Sequence, residues 1–418
     1  MCARHNIMCA QNVIQIHSAL MVRRLISSLK SERMEKYIRV YFEMGLDYME
    51  ILALLAKHHH YIISYRHLKR ILKKLRLFRR KHYTPLEDVV AFIKDNIKGS
   101  GRLHGYRWMF MKCRQAGLTI QKEYVRIIMQ IINPEGVEMR RKGRLHRREY
   151  CSKGPNFIWH LDSYDKLKPF GICINGCIDG FSRLIIWLEA GQTSSDPRVI
   201  SGYFVKAILR KGGPMVIRGD LGTENSKVAE MQSFLRRNDN DTYARNNSAF
   251  LYGTSQHNQR IESWWGIYRK ENSQFWMTFF KDIKEDGLFS GDHLHKNLIR
   301  FCFLRLIQKE LLEVVSIWNA HKIRKNNKQH GVYGRPYVLY SVPEVYGTSD
   351  YVTSPDIDEV EICLEQSTYC SLPCDEDIYD LANLYMEELG HSLPTDAFEA
   401  ATLYRCLLER FETDLALQ

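Results

Sequence analysis

Residues 253–269 read G-T-S-Q-H-N-Q-R-I-E-S-W-W-G-I-Y-R and set one carboxylate, Glu262, near the start of a helical pattern. The apolar run 249–252 precedes a small polar turn at Gly253, Thr254 and Ser255. Asn258 then opens a helix whose apolar positions are Ile261, Trp264, Trp265 and Tyr268. Helical spacing brings Arg269 to the face of Glu262, so an acid able to hold a metal stands beside a cation able to hold a phosphate.

Two further acids lie upstream. Asp162 closes F-I-W-H-L-D and Asp220 closes P-M-V-I-R-G-D, each an apolar run of strand length. Carboxylates at strand ends, with a third on a later helix, can meet at one edge of a sheet while their backbones stay in its core. Three such groups repel one another unless divalent cations neutralise them, and an all-oxygen donor set suits Mg2+ or Mn2+.

The order Asp162, Asp220, Glu262, with I-D-G-F-S-R at 178–183, D-L-G-T-E-N at 220–225 and S-Q-H-N-Q-R-I-E at 255–262, resembles the integrase core of retroviral integrases and transposases. In particular it is similar to the integrase core domain proteins of eukaryotic retroelements and DNA transposons, over about residues 155–343. The resemblance implies that Asp162, Asp220 and Glu262 are the catalytic triad and the ligands of two Mg2+ or Mn2+ ions. It also implies DNA end cleavage and strand transfer, with element ends and target duplex as partners and a homo-oligomer assembled on DNA. The interval from Asp220 to Glu262, 42 positions, is longer than in retroviral integrases. The excess falls in R-R-N-D-N-D-T-Y-A-R-N-N, which reads as a polar loop.

Around this centre the spacing predicts an α/β ribonuclease H-like core. Strands are expected at 157–162, 171–179, 184–189, 215–218 and 249–252, and helices at 196–209 and 224–236, giving a five-stranded mixed sheet with helices on its faces. Asp179 reads as a turn residue rather than a ligand, and Asp165 as rim. His160 shares a strand face with Asp162.

Charge is distributed unevenly along the chain. Of a net +12, residues 1–150 carry 31 Lys and Arg against 12 Asp and Glu, while residues 344–418 carry 2 against 18. A basic front is the electrostatic footprint of nucleic-acid binding. No run of about 18 apolar residues occurs, so no membrane span is expected. Residues 1–20 lack a secretory pattern, and eleven scattered cysteines fit a reducing compartment.

Residues 1–30 give no readable pattern, and Cys2, His5, Cys9 and His17 are too irregularly spaced for a zinc module. Residues 31–83 read as a helix-turn-helix. Gly45 ends the first helix, Asp47 and Ser64 cap the next two, and 64–75 is the expected recognition helix, presenting Arg66, Lys69, Arg70 and Lys73 to duplex DNA. Residues 84–150 read as a second helical DNA-binding unit, similar to one in some bacterial transposases, followed by the basic linker R-R-K-G-R-L-H-R-R. Its Arg140, Arg141, Lys142 and Arg144 are expected to hold phosphates; a nuclear import signal, in keeping with an expected nuclear location, and a solvated hinge are the other readings. Residues 151–343 form the expected catalytic core with a helical extension at 294–317, followed by Lys322 and Arg324 as phosphate contacts. The acidic region 344–418 is expected to form helices; covering its own basic half and binding a protein partner both stay open. A host-recruited DNA-binding protein without catalysis is the rival to the enzyme.

Overall fold

A computed structural model describes residues 31–139, 152–246, 248–253, 258–325, 332–368 and 372–416. The expected phosphate contacts Arg140, Arg141, Lys142 and Arg144 lie outside the described residues. The chain divides into two compact units. The first holds the described residues up to Thr84 together with Arg114–Ile120, and the second holds Pro85–Cys113 and the chain from Gln121.

The first unit is helical: α1 covers 31–43, α2 Tyr48–His59 and α3 Tyr65–Lys74. Gly45, at φ +83°, turns the chain out of α1. Asp47 starts α2 with a capping box: its carboxylate accepts from Met49 N and Glu50 N, and Glu50 accepts from Asp47 N at 2.7 Å. Ser64 Oγ accepts from His67 N to start α3. Leu68, Ile71 and Leu72 are buried, which leaves Arg66, His67, Lys69, Arg70, Lys73 and Lys74 exposed. Lys74 reaches Glu35 of α1 at 2.6 Å.

The second unit begins with α4 (Leu86–Asn96), α5 (Tyr106–Gln115, whose last two residues fall to the first unit), α6 (Lys122–Ile132) and α7 (Pro134–Met139). The sheet follows: β1 (Ile158–Tyr164), β2 (Cys173–Asp179), β3 (Ile185–Gly191), β4 (Val216–Asp220) and β5 (Phe250–Gly253). Its order is β3-β2-β1-β4-β5, antiparallel across the first three and parallel from β1 to β4 to β5. This is the α/β ribonuclease H-like arrangement, a five-stranded mixed sheet between helical layers.

Side-chain alternation sends the two faces of β1 to two cores. Trp159 and Leu161 join the cluster under α8 (Pro197–Lys211) and α9 (Ser226–Leu235). Tyr164, with Ile174 and Ile178 of β2, joins the larger cluster on the other face. Within 236–247, expected as a polar loop, a short helix α10 (Thr242–Arg245) forms, and Arg236 is buried, bound to Asp239, Asp241 and Met215 O. A run of charge therefore reads as a loop although part of it is packed. The larger cluster is covered by α11 (Gln259–Tyr268), α12 (Gln274–Glu285) and α13 (His293–Ala320), the last a single 28-residue helix.

Gln308 and Asn319 of α13 act on the edge strand β3 as a substitute partner. Gln308 accepts from Ala190 N and donates to Leu188 O, and Asn319 does both with Ile185. After α14 (Pro336–Ser341), the acidic region forms α15 (Ile357–Glu365), α16 (Glu376–Glu388) and α17 (Ala397–Ala416). Tyr385, Leu403, Tyr404, Leu407 and Phe411 are buried in the same cluster as α13, while Val360 and Cys363 of α15 join the cluster of α8. The acidic region is thus built into the fold of the second unit. Among the described residues, no helix is long and apolar enough to cross a membrane.

Candidate active site

Parallel pairing of β1 with β4 ends with His160 beside Arg218, and Asp162 and Asp220 each follow two residues further, on the same strand face as those two. Helix α11 crosses that face and carries Glu262 in its first turn. Burial, then Glu262 and Asp220, push the Asp162 carboxyl up to about 7. Burial and then Asp220 raise Glu262, with Lys166 opposing, and burial raises Asp220. The three acids expected from the sequence therefore lie within electrostatic reach of one another. Among the described residues no three His, Cys, Asp or Glu side chains close into a ready-made cage.

Each acid is set by its surroundings. The Asp162 oxygens accept from Ser163 N at 2.9 Å and from the Trp265 indole Nε1 at 2.8 Å. Asp220 ends β4, and its carbonyl accepts from buried Asn225, which also reaches Glu224. That bond closes the turn D-L-G-T-E-N. Asp220 Oδ1 is buried with no hydrogen-bond partner among the described residues, an unusual state for a carboxylate oxygen that a cation would relieve.

Glu262 is placed through Asn258. Nδ2 of this buried residue donates to Leu161 O at 2.7 Å, and its Oδ1 lies 2.8 Å from His160 Nδ1. Since Nδ2 is the donor, Oδ1 accepts, so the imidazole carries its proton on Nδ1. Burial lowers His160 to about 3 and keeps the ring neutral. His160 thus aligns the helix with the strand. Arg260 adds a bond to Gly180 O at 2.9 Å, and Ile261, Trp264, Trp265 and Tyr268 anchor the helix in the core.

Asp179 has another role. Fully buried, it accepts from Asn156 N, Phe181 N, Ser182 N and Ser182 Oγ, which makes it the staple of the β2–β3 turn. Asp165 is exposed and bonds Ser194 and Lys168. Arg269 is exposed where α11 widens into a π-helical turn, Arg269–Ser273, and its Nε bonds Gln274 at 3.2 Å. That turn is braced by Glu310, which accepts from Asn272 and Trp276, while Glu271 accepts from Gly105 N at the start of α5. Lys322 and Arg324 are exposed beyond α13.

Sequence reasoning passed over three residues that position these acids. Trp265 reads as plain core, and the β1 contacts of Asn258 are invisible in one dimension. Gly176 did leave a signal: a glycine inside the apolar strand C-I-N-G-C-I-D marks a close approach.

Residues 150–335 match the family model of the integrase core domain, and over that span the chain carries an integrase core. Such a core supports polynucleotidyl transfer and DNA binding in general, and domains of this family typically use divalent metals. No curated protein matches the chain.

Proposed function

We propose that this protein is an integrase- or transposase-like enzyme that cleaves DNA ends and joins them to target DNA, with Asp162, Asp220 and Glu262 as its catalytic carboxylates. The observation that supports this reading best is the placement of Asp162 and Asp220 two residues beyond the paired His160 and Arg218 of neighbouring parallel strands, electrostatically coupled to Glu262, inside a matched integrase core. Their oxygen-only donor set and the orphaned Asp220 Oδ1 fit two Mg2+ or Mn2+ ions. When bound, such ions activate the attacking water or 3′-hydroxyl and stabilise the leaving oxygen. Asp162, Asp220 and Glu262 would together hold the ions. The apolar bed beneath Asp162 limits water access, and Arg269, Lys322 and Arg324 hold phosphates. The enzyme acts in the nucleus as a homo-oligomer on DNA.

Replacing Glu262 by Gln keeps size and helix propensity but removes a charge on which the cations depend. Cleavage and joining of duplexes bearing the element's terminal repeats should fall at least about a hundredfold in Mg2+, the effect of losing a stabiliser worth ~2.7 kcal/mol or more. DNA affinity should hold. A wild-type chain that binds these duplexes and never cuts them, in Mg2+ or Mn2+, would place the protein with recruited DNA binders instead.

A further inference from the structure

Trp265 sits three residues after Glu262 on α11, and that spacing sets both side chains toward the same neighbour. The indole is 5 % exposed and packs against Tyr164, Trp264 and Tyr268. Its single polar atom is spent on Asp162 Oδ2, at 2.8 Å. Across the sheet, the residue paired with Asp162 is Gly176 of β2. A Cβ there would lie 2.8 Å from Trp265 Cη2 and 3.2 Å from Leu188 Cδ1, so only glycine leaves room for the ring.

We infer that Trp265, admitted by Gly176, is a positioning residue of the active site: it fixes one oxygen of Asp162 from the same helix that carries Glu262, holding the two carboxylates as a unit for a divalent cation. This rests on the function proposed above. The chemistry of the side chain suits the task. An indole N–H only donates, so it orients the carboxylate without competing for the metal or taking a proton from it. A carboxylate oxygen with one donor keeps a further lone pair for coordination. Trp265 and Asn258 also bracket Glu262 along α11, so the helix is tied to β1 on both sides of the acid. Neighbouring Trp264 provides the internal contrast: it is as deeply buried, and its Nε1 has no hydrogen-bond partner among the described residues.

The test is Mn2+ binding to the full chain, followed by the resonance of free Mn2+, with cleavage measured in parallel. Trp265→Phe keeps the ring packing and removes the donor; its Mn2+ affinity should fall about 10–100-fold, the usual cost of removing a partner of a metal ligand. Trp264→Phe should leave affinity unchanged. Gly176→Ala approaches from the other side and should weaken Mn2+ binding in the same direction by displacing the ring. Cleavage by Trp265→Phe should recover towards wild type at saturating Mn2+, unlike Glu262→Gln. If wild type binds Mn2+ and Trp265→Phe binds it as tightly as Trp264→Phe does, this inference is overturned while the proposed function stands. If wild type binds no Mn2+, the reading of the three carboxylates as a metal site fails first.

Discussion

At the scale of the residue, the protein keeps a fully buried aspartate, Asp179, and a half-buried one, Asp162, for opposite reasons. Burial lifts Asp179 to about 6, but four donors satisfy it. Asp162, pushed up to about 7 by burial and by Glu262 and Asp220, has two donors and two repelling neighbours. A carboxyl raised in the folded chain binds its proton more tightly there than when unfolded. The stability it supplies is full below its unfolded value of 3.8 and is lost as pH rises through about 7. A cation that binds only the ionised folded site restores stability above that pH. Mg2+ should therefore raise the thermal midpoint clearly at pH 8 and little at pH 5. Asp162→Asn should abolish the Mg2+ effect and flatten the fall in stability between about pH 4 and 7, leaving the share due to Asp179; thermal melts across pH with and without Mg2+ check both. Asp179→Ala should behave otherwise. It strands the N–H groups of Asn156, Phe181 and Ser182, at a cost of at least about 3 kcal/mol in urea denaturation, with or without metal.

At the scale of the element, the strands were legible because a buried strand in a mixed sheet is a short apolar run, and each of the five expected runs overlaps an observed strand. Asp162 and Asp220 were legible as candidates because acids at the ends of such runs break the pattern, and Glu262 because it stands near the start of a helical pattern that follows them. What stayed hidden depends on contacts between elements distant in sequence. Helical periodicity marks Trp264 and Trp265 alike as core, yet only the crossing of α11 over β1 decides which indole meets a carboxylate. The π-helical turn at Arg269–Ser273 inserts no residue with a sequence signature; it is held by Glu310, from a helix some forty positions later. Asn258 looked like a helix opener, and it is the N-cap of α11, but its side chain makes no cap bond because both its ends are engaged by β1.

At the scale of the whole molecule, charge and fold follow different boundaries. Of the 18 acids of residues 344–418, 13 lie on α15, α16 and α17, whose apolar residues join the two cores, so the acidity there belongs to a folded region. In the first unit, α3 divides cleanly: Leu68, Ile71 and Leu72 are buried, while Arg66, Lys69, Arg70 and Lys73 are exposed, and among the described residues no ion pair engages these four. An exposed cation with no ion-pair partner contributes little to stability, so its removal leaves the fold intact. On duplex DNA it releases a counterion for each phosphate it neutralises, and the logarithm of affinity falls with the logarithm of salt by about 0.9 per contact. Replacing Arg66 and Arg70 together by Ala in the full chain should therefore weaken duplex binding and reduce the salt slope by about two. The thermal midpoint and Mn2+ binding should not change. Titrating labelled duplexes of several sequences between 50 and 200 mM salt separates two roles for α3: a uniform loss across sequences marks phosphate contacts, a loss confined to one sequence marks base contacts in the groove. An unchanged slope in a folded double variant would remove α3 from the DNA interface and leave the basic character of the front to residues outside this helix.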